Sequence, residues 1–170
     1  MKRWGEKRYH SLDYHLKHTY GEKLYKLALN GGMTCPNRDG TLGDRGCIFC
    51  SAGGSGDFAG NPRESIRQQI ASGKEQIKKK TDAVSYIAYF QAYTNTYGEL
   101  EALKRKYEEA LSVPDVVGLV IGTRPDCMPD TLLHYLEEVN KNTFLLVEYG
   151  IESTHDATLR RIADTLFRIR

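Results

Sequence analysis

Three short runs rich in branched and aromatic residues, AVSYIAYF (83–90), VVGLVIG (116–122) and TFLLVEYG (143–150), each give way to a stretch with helical spacing. Brief apolar runs of this kind predict buried strands. After the first, Leu100, Leu103, Tyr107 and Leu111 recur on one helical face. After the second, Pro129 suits the first turn of a helix over 129–141. After the third, Ser153 and Asp156 have the spacing of a capping box ahead of Leu159, Ile162 and Leu166. A fourth unit precedes these, with KLYKLALN (23–30) as its strand and residues 62–80 as its helix. Strand followed by helix, repeated, predicts an α/β fold of parallel units. Strand starts about 30 residues apart match the share of one unit in a β/α barrel of eight. About four units are present, so the expectation is a partial parallel (β/α) barrel whose last strand is an edge needing cover.

The chain has 170 residues, 40% of them hydrophobic, which suffices for one sizeable core, so residues 1–170 are read as a single domain. A formal net charge of +2 is too small to imply a nucleic-acid or membrane partner by itself. The start, MKRWGEKRYHSLDYH, lacks a signal-peptide core, and the run at 116–122 is too short to span a bilayer. A cytoplasmic protein without membrane contact is expected. Thiols stay reduced in that compartment, so clustered cysteines point to metal binding or catalysis.

Three of the four cysteines lie in CPNRDGTLGDRGCIFC, residues 35–50, within a long loop of roughly residues 31–61 that holds most of the chain's glycines. A loop of that length in a compact domain is functional or disordered. It leaves the first strand at its C-terminal end, where parallel β/α proteins gather functional groups. Structural zinc takes four protein ligands, and would have to add Cys127 or a histidine to Cys35, Cys47 and Cys50. An iron-sulfur cubane normally takes four thiolates, so three leave one iron open to a substrate or cofactor.

The motif resembles that of the radical S-adenosylmethionine enzymes, in particular a bacterial subgroup of uncharacterised proteins with C-x11-C-x2-C spacing. YFQAYTNTYG (89–98), GTRPDCMPD (122–130) and VEYGIESTHDATLRRI (147–162) carry the resemblance along the chain. It implies a [4Fe-4S] cluster held by Cys35, Cys47 and Cys50, with S-adenosyl-L-methionine on the fourth iron. One electron from an external one-electron donor, delivered through the cluster, would cleave a carbon-sulfur bond. Methionine and a 5'-deoxyadenosyl radical result, and the radical takes hydrogen from a substrate. Phe49 resembles the aromatic near the adenine, and Gln91, Thr94 and Asn95 the segment gripping the methionine end. Thr123, Arg124 and Asp126 after the third strand, with Glu148 and Glu152 at the end of the fourth, would face the same mouth. Gly40, Gly43 and Gly46 would let backbone amides approach the cluster sulfurs. Relatives with these motifs continue into further β/α units, so the domain is expected to be incomplete at its C-terminus.

Blander readings exist for several of these residues. The cysteines could hold structural zinc in a non-enzymatic module that binds RNA or another chain. Arg124 and Asp126 could pair with each other, Glu152 could favour a helix start, and Cys127 could be a packed thiol. Glu148 needs a partner if it lies on a buried strand. His134 and His155 fall in helices and receive no role. The extension 1–22 is basic and rich in tyrosine; with Lys23, Tyr25 and Lys26 it gives seven Lys or Arg against three acids. Such a surface suits an RNA substrate, with tRNA favoured by the resemblance, or else covers one end of the barrel. The edge strand and the apolar Leu166, Phe167 and Ile169 suggest self-association.

Overall fold

The computed structural model describes residues 3–162. Leu166, Phe167 and Ile169, named above for self-association, lie outside the described residues. Four strands, β1 (Tyr25–Leu29), β2 (Tyr86–Phe90), β3 (Val116–Thr123) and β4 (Phe144–Tyr149), form one sheet in the order 1-2-3-4. Every pairing is parallel. The helices are α1 (Leu12–Tyr20), α2 (Ile66–Lys78), α3 (Leu100–Leu111), α4 (Asp130–Asn140) and α5 (Asp156–Ile162). All four sequence-derived strands are therefore present, with β4 on an edge, and the βα rhythm yields a parallel α/β sheet as the alternation predicts.

Local chemistry sets the helix limits. Ser65 Oγ accepts from the Gln68 amide while Gln68 Oε1 accepts from the Ser65 amide, a closed capping box that starts α2 four residues later than the apolar pattern suggests. Glu99 caps α3 with its carboxylate on the amides of Glu101 and Ala102. Pro129 occupies the cap position of α4, one residue outside the helix that it was expected to open. The sequence pattern gave no warning of α1, because LDYHLKHTY buries Leu16 alone. Its ends are nonetheless marked: Ser11 Oγ accepts from the Tyr14 amide, and Gly21 closes the helix in the left-handed conformation at φ 76°.

Two apolar layers result. On one face of the sheet Leu27, Leu29, Tyr86, Phe90, Leu119 and Ile121 pack with Ile70, Tyr107 and Leu132 of the following helices. On the other, Ile87 and Val120, flanked by Phe144 and Leu146, meet Leu16 and Tyr20 of α1 and the adjoining Leu24. The N-terminal segment thus covers the lower part of that second face, the structural role weighed against RNA binding; Trp4 stacks on His10 and Tyr9 stays exposed. Above the apolar patch the same face turns polar. Lys26 of β1 and Glu148 of β4 meet at 2.8 Å although β2 and β3 lie between them. A flat sheet would place those strands on the order of 14 Å apart, so the sheet is concave on this side. Among the described residues no helix is long and apolar enough to cross a membrane.

Candidate functional site

The C-terminal ends of β2, β3 and β4 and the long β1–α2 loop enclose a cavity of about 350 Å³. Cys35, Cys47 and Cys50 line it together with Phe49, Gln91, Thr94, Thr123, Arg124, Glu148 and Glu152. Ten of the twelve sequence-derived site residues therefore converge on one space. The other two do not line it. Asn95 is fully buried, and its Nδ2 donates to the carbonyls of Phe90 and Gly122, both at 2.9 Å, tying the ends of β2 and β3 together. Asp126 pairs with Arg124 through two bonds of 2.9 and 2.7 Å and lines a second cavity, beside Cys127, Met128 and Pro129.

The cysteine loop is fixed by its own backbone. The amides of Arg38 and Asp39 donate to the Cys35 carbonyl, Gly46 donates to Asn37 at 2.7 Å, and the Cys50 amide donates to Cys47 at 3.0 Å. Asn37, 3% exposed, aims its side-chain amide at Cys47 Sγ, 3.2 Å away. Arg124 brings Nη1 to 3.9 Å from Cys35 Sγ. Ser55 Oγ lies 3.5 Å from Cys50 Sγ. Each loop sulfur thus has a polar neighbour suited to a thiolate.

Titration behaviour follows this geometry. A hydrogen bond from Cys47 pulls the Cys50 thiol down to about 6, and the shared proton together with burial pushes Cys47 up. Burial pushes Cys127 up to about 12, helped by the adjacent Asp126 carboxylate, so this thiol stays protonated and inert at neutral pH. All four cysteines are free thiols. Cys127 is buried, does not line the cysteine-loop cavity, and fits the packed-thiol reading. No three His, Cys, Asp or Glu side chains among the described residues are gathered tightly enough to grip a single metal ion.

Glu148 has the partner that its strand position requires. Burial alone would raise its carboxyl; hydrogen bonds from Lys26 and Tyr89 outweigh this and hold it below the usual range. Tyr89 is pushed up to about 12, first by burial and then by the Glu148 carboxylate. Lys26 also sits 4.5 Å from the centre of the Tyr89 ring. Asp126 behaves similarly to Glu148, since the Arg124 guanidinium overcomes burial and keeps it ionised.

Sequence reasoning did not single out Arg38, Tyr89 or Tyr93, which also line the cavity. Tyr89 alternates with buried Ala88 and Phe90 and so had to face the other side of the sheet, which was the available signal. Lys26 offered another, a cation inside the apolar run LYKLAL.

No family model matches the chain. Relatives do. Over 153 residues it is 51% identical to the uncharacterised protein YtqA of Bacillus subtilis, covering 90% of this chain and 48% of YtqA. It is 44% identical over 148 residues to protein YhcC of Escherichia coli K12, covering 86% of this chain and 47% of YhcC. Protein MJ0486 of Methanocaldococcus jannaschii is 34% identical over 149 residues, covering 85% and 44% respectively. The chain spans about half the length of the curated relatives it matches. None of these names states an activity.

Proposed function

We propose that this chain is a radical S-adenosylmethionine enzyme core, binding a [4Fe-4S] cluster through Cys35, Cys47 and Cys50 and S-adenosyl-L-methionine in the adjoining cavity. The observation that carries the reading is the convergence of three free loop thiols, and no fourth, on a cavity rimmed by polar residues from the ends of β2, β3 and β4. Bound there, the cluster would deliver one electron from an external donor to cleave S-adenosyl-L-methionine reductively, giving methionine and a 5'-deoxyadenosyl radical that takes hydrogen from a substrate. Asn37 and Arg124 donate toward two of the sulfurs and stabilise their anionic form. Phe49, half exposed at the rim, offers a flat apolar surface to the adenine. Gln91, Thr94, Thr123 and Glu152 supply polar atoms for the methionine end. Lys26, Tyr89 and Glu148 form a charged floor on the concave face, where a substrate approaching the radical would be met. The substrate class is proposed as tRNA, from the family resemblance and the basic, tyrosine-rich N-terminal segment.

Iron-free protein reconstituted with iron and sulfide under anaerobic conditions should turn brown and hold about four irons per chain. With dithionite and S-adenosyl-L-methionine it should release 5'-deoxyadenosine and methionine. Stoichiometric zinc that resists replacement, with no reducible cluster, would instead establish a zinc-stabilised binding module.

A further inference from the structure

Arg38 lies three residues after the first cysteine, yet its guanidinium reaches the far end of the loop. Nη2 donates to the carbonyls of Cys50 at 3.2 Å and Ser51 at 2.5 Å, and Nη1 points at Ala52 at 3.5 Å. The opposite side of this segment is held by Tyr93, which follows β2: its hydroxyl donates to the Ala52 carbonyl at 2.7 Å and its amide to Gly54 at 2.8 Å. The guanidinium lies 5.7 Å from the centre of the Tyr93 ring, so the two side chains close on each other around the segment after Cys50.

The backbone pays for this arrangement. Tyr93 sits at φ 63°, a left-handed conformation that costs a non-glycine residue on the order of 1–3 kcal/mol. Gly46 at φ 77° leaves room for the guanidinium, since a Cβ there would lie 2.5 Å from Arg38 Nε. Gly54 at φ 60° leaves room for the tyrosine ring, at 2.3 Å from the position a Cβ would take. An exposed loop needing only satisfied carbonyls could use water; a strained tyrosine and a glycine clearance on each side mark a segment whose position matters. The donors of Arg38 go to carbonyl oxygens, which carry no formal charge, so its cationic charge remains to act on the thiolates of the cavity that it lines.

We propose that Arg38, braced by Tyr93, is a positioning residue for the three-thiol site: it holds Cys50 in register with Cys35 and Cys47, and its charge raises the reduction potential of the cluster bound there. The second half rests on the cluster reading above. A cluster on three thiolates gains one negative charge on reduction, and a nearby cation stabilises the more negative form more strongly, which sets the sign.

Two measurements test this. In iron-free protein, Arg38→Met should speed amide hydrogen exchange over residues 50–54 at least tenfold while leaving α3 unchanged. Gly46→Ala should do the same by displacing the guanidinium, and Tyr93→Phe should give a smaller increase. Unaltered exchange in all three overturns the clamp. In reconstituted protein, a redox titration followed by electron paramagnetic resonance should give Arg38→Met a more negative midpoint than wild type. Arg38→Lys, which keeps the charge and loses the fork, should stay close to wild type. Equal midpoints for wild type and Arg38→Met overturn the electrostatic half. A wild-type protein that takes up no cluster overturns the cluster reading and that half with it, while the exchange result still decides the clamp.

Discussion

Cys127 and the three loop thiols make a natural comparison, because one residue type is placed in two environments. Cys35→Ala, Cys47→Ala and Cys50→Ala should each abolish reductive cleavage of S-adenosyl-L-methionine, since two thiolates cannot hold a cubane with one open corner. Cys127→Ala should keep the iron, because this thiol is buried outside the cysteine-loop cavity and held protonated by burial. Iron analysis of the four variants checks this, and loss of iron from Cys127→Ala would contradict it. Phe49→Ala removes a packing surface and no ligand. It should leave iron content intact and weaken cofactor binding by up to about tenfold, the worth of about 1.5 kcal/mol of aromatic contact. Calorimetric titration of the reconstituted protein would separate the two effects. The cysteines were readable in the sequence because their spacing is local. Arg38 and Tyr93 were not, because an arginine that folds back on carbonyls twelve to fourteen residues away leaves no periodicity.

β2 and β3 are joined at their ends by Asn95, whose side chain takes no part in the cavity wall and instead spans two carbonyls. Removing it takes the side-chain donor from two carbonyls, leaving Gly122 only the Asn95 backbone amide at 3.2 Å, so Asn95→Ala should cost about 2 kcal/mol in denaturant unfolding without changing the number of thiols. On the edge strands, Lys26 and Glu148 join β1 to β4 across the concave face. Because Glu148 is held below its ordinary value, its contribution to stability is fully present above the usual carboxylate range and is lost as pH falls through the lowered value. Glu148→Gln should therefore flatten the acid limb of a plot of melting temperature against pH. An unchanged limb would mean that the pair contributes nothing to holding the sheet's curvature. The strands themselves could be read from composition, since apolar runs bounded by loop residues mark β2, β3 and β4 within one to three residues of their observed limits. α1 could not, because a helix with one buried residue carries almost no apolar period.

One sheet, helices on one face and a partly covered concave face make up the described molecule. β4 pairs only with β3 among the described residues, and its side chains are half-buried at best. Tyr149, which lines the cysteine-loop cavity, and Ile151 are exposed at 42% and 47%. An unpaired edge flanked by apolar side chains favours association, so sedimentation of this 170-residue chain should show mass rising with concentration, reduced by Ile151→Lys. A single monomeric species throughout would show that the edge is adequately protected. The cluster and its cofactor are tested most directly by electron paramagnetic resonance of the reconstituted, dithionite-reduced protein, recorded before and after adding S-adenosyl-L-methionine. An iron left open by three thiolates should bind the added molecule, and the signal of the reduced cluster should shift. A signal that does not move, or a protein that holds zinc and gives no signal, would contradict the three-thiolate site.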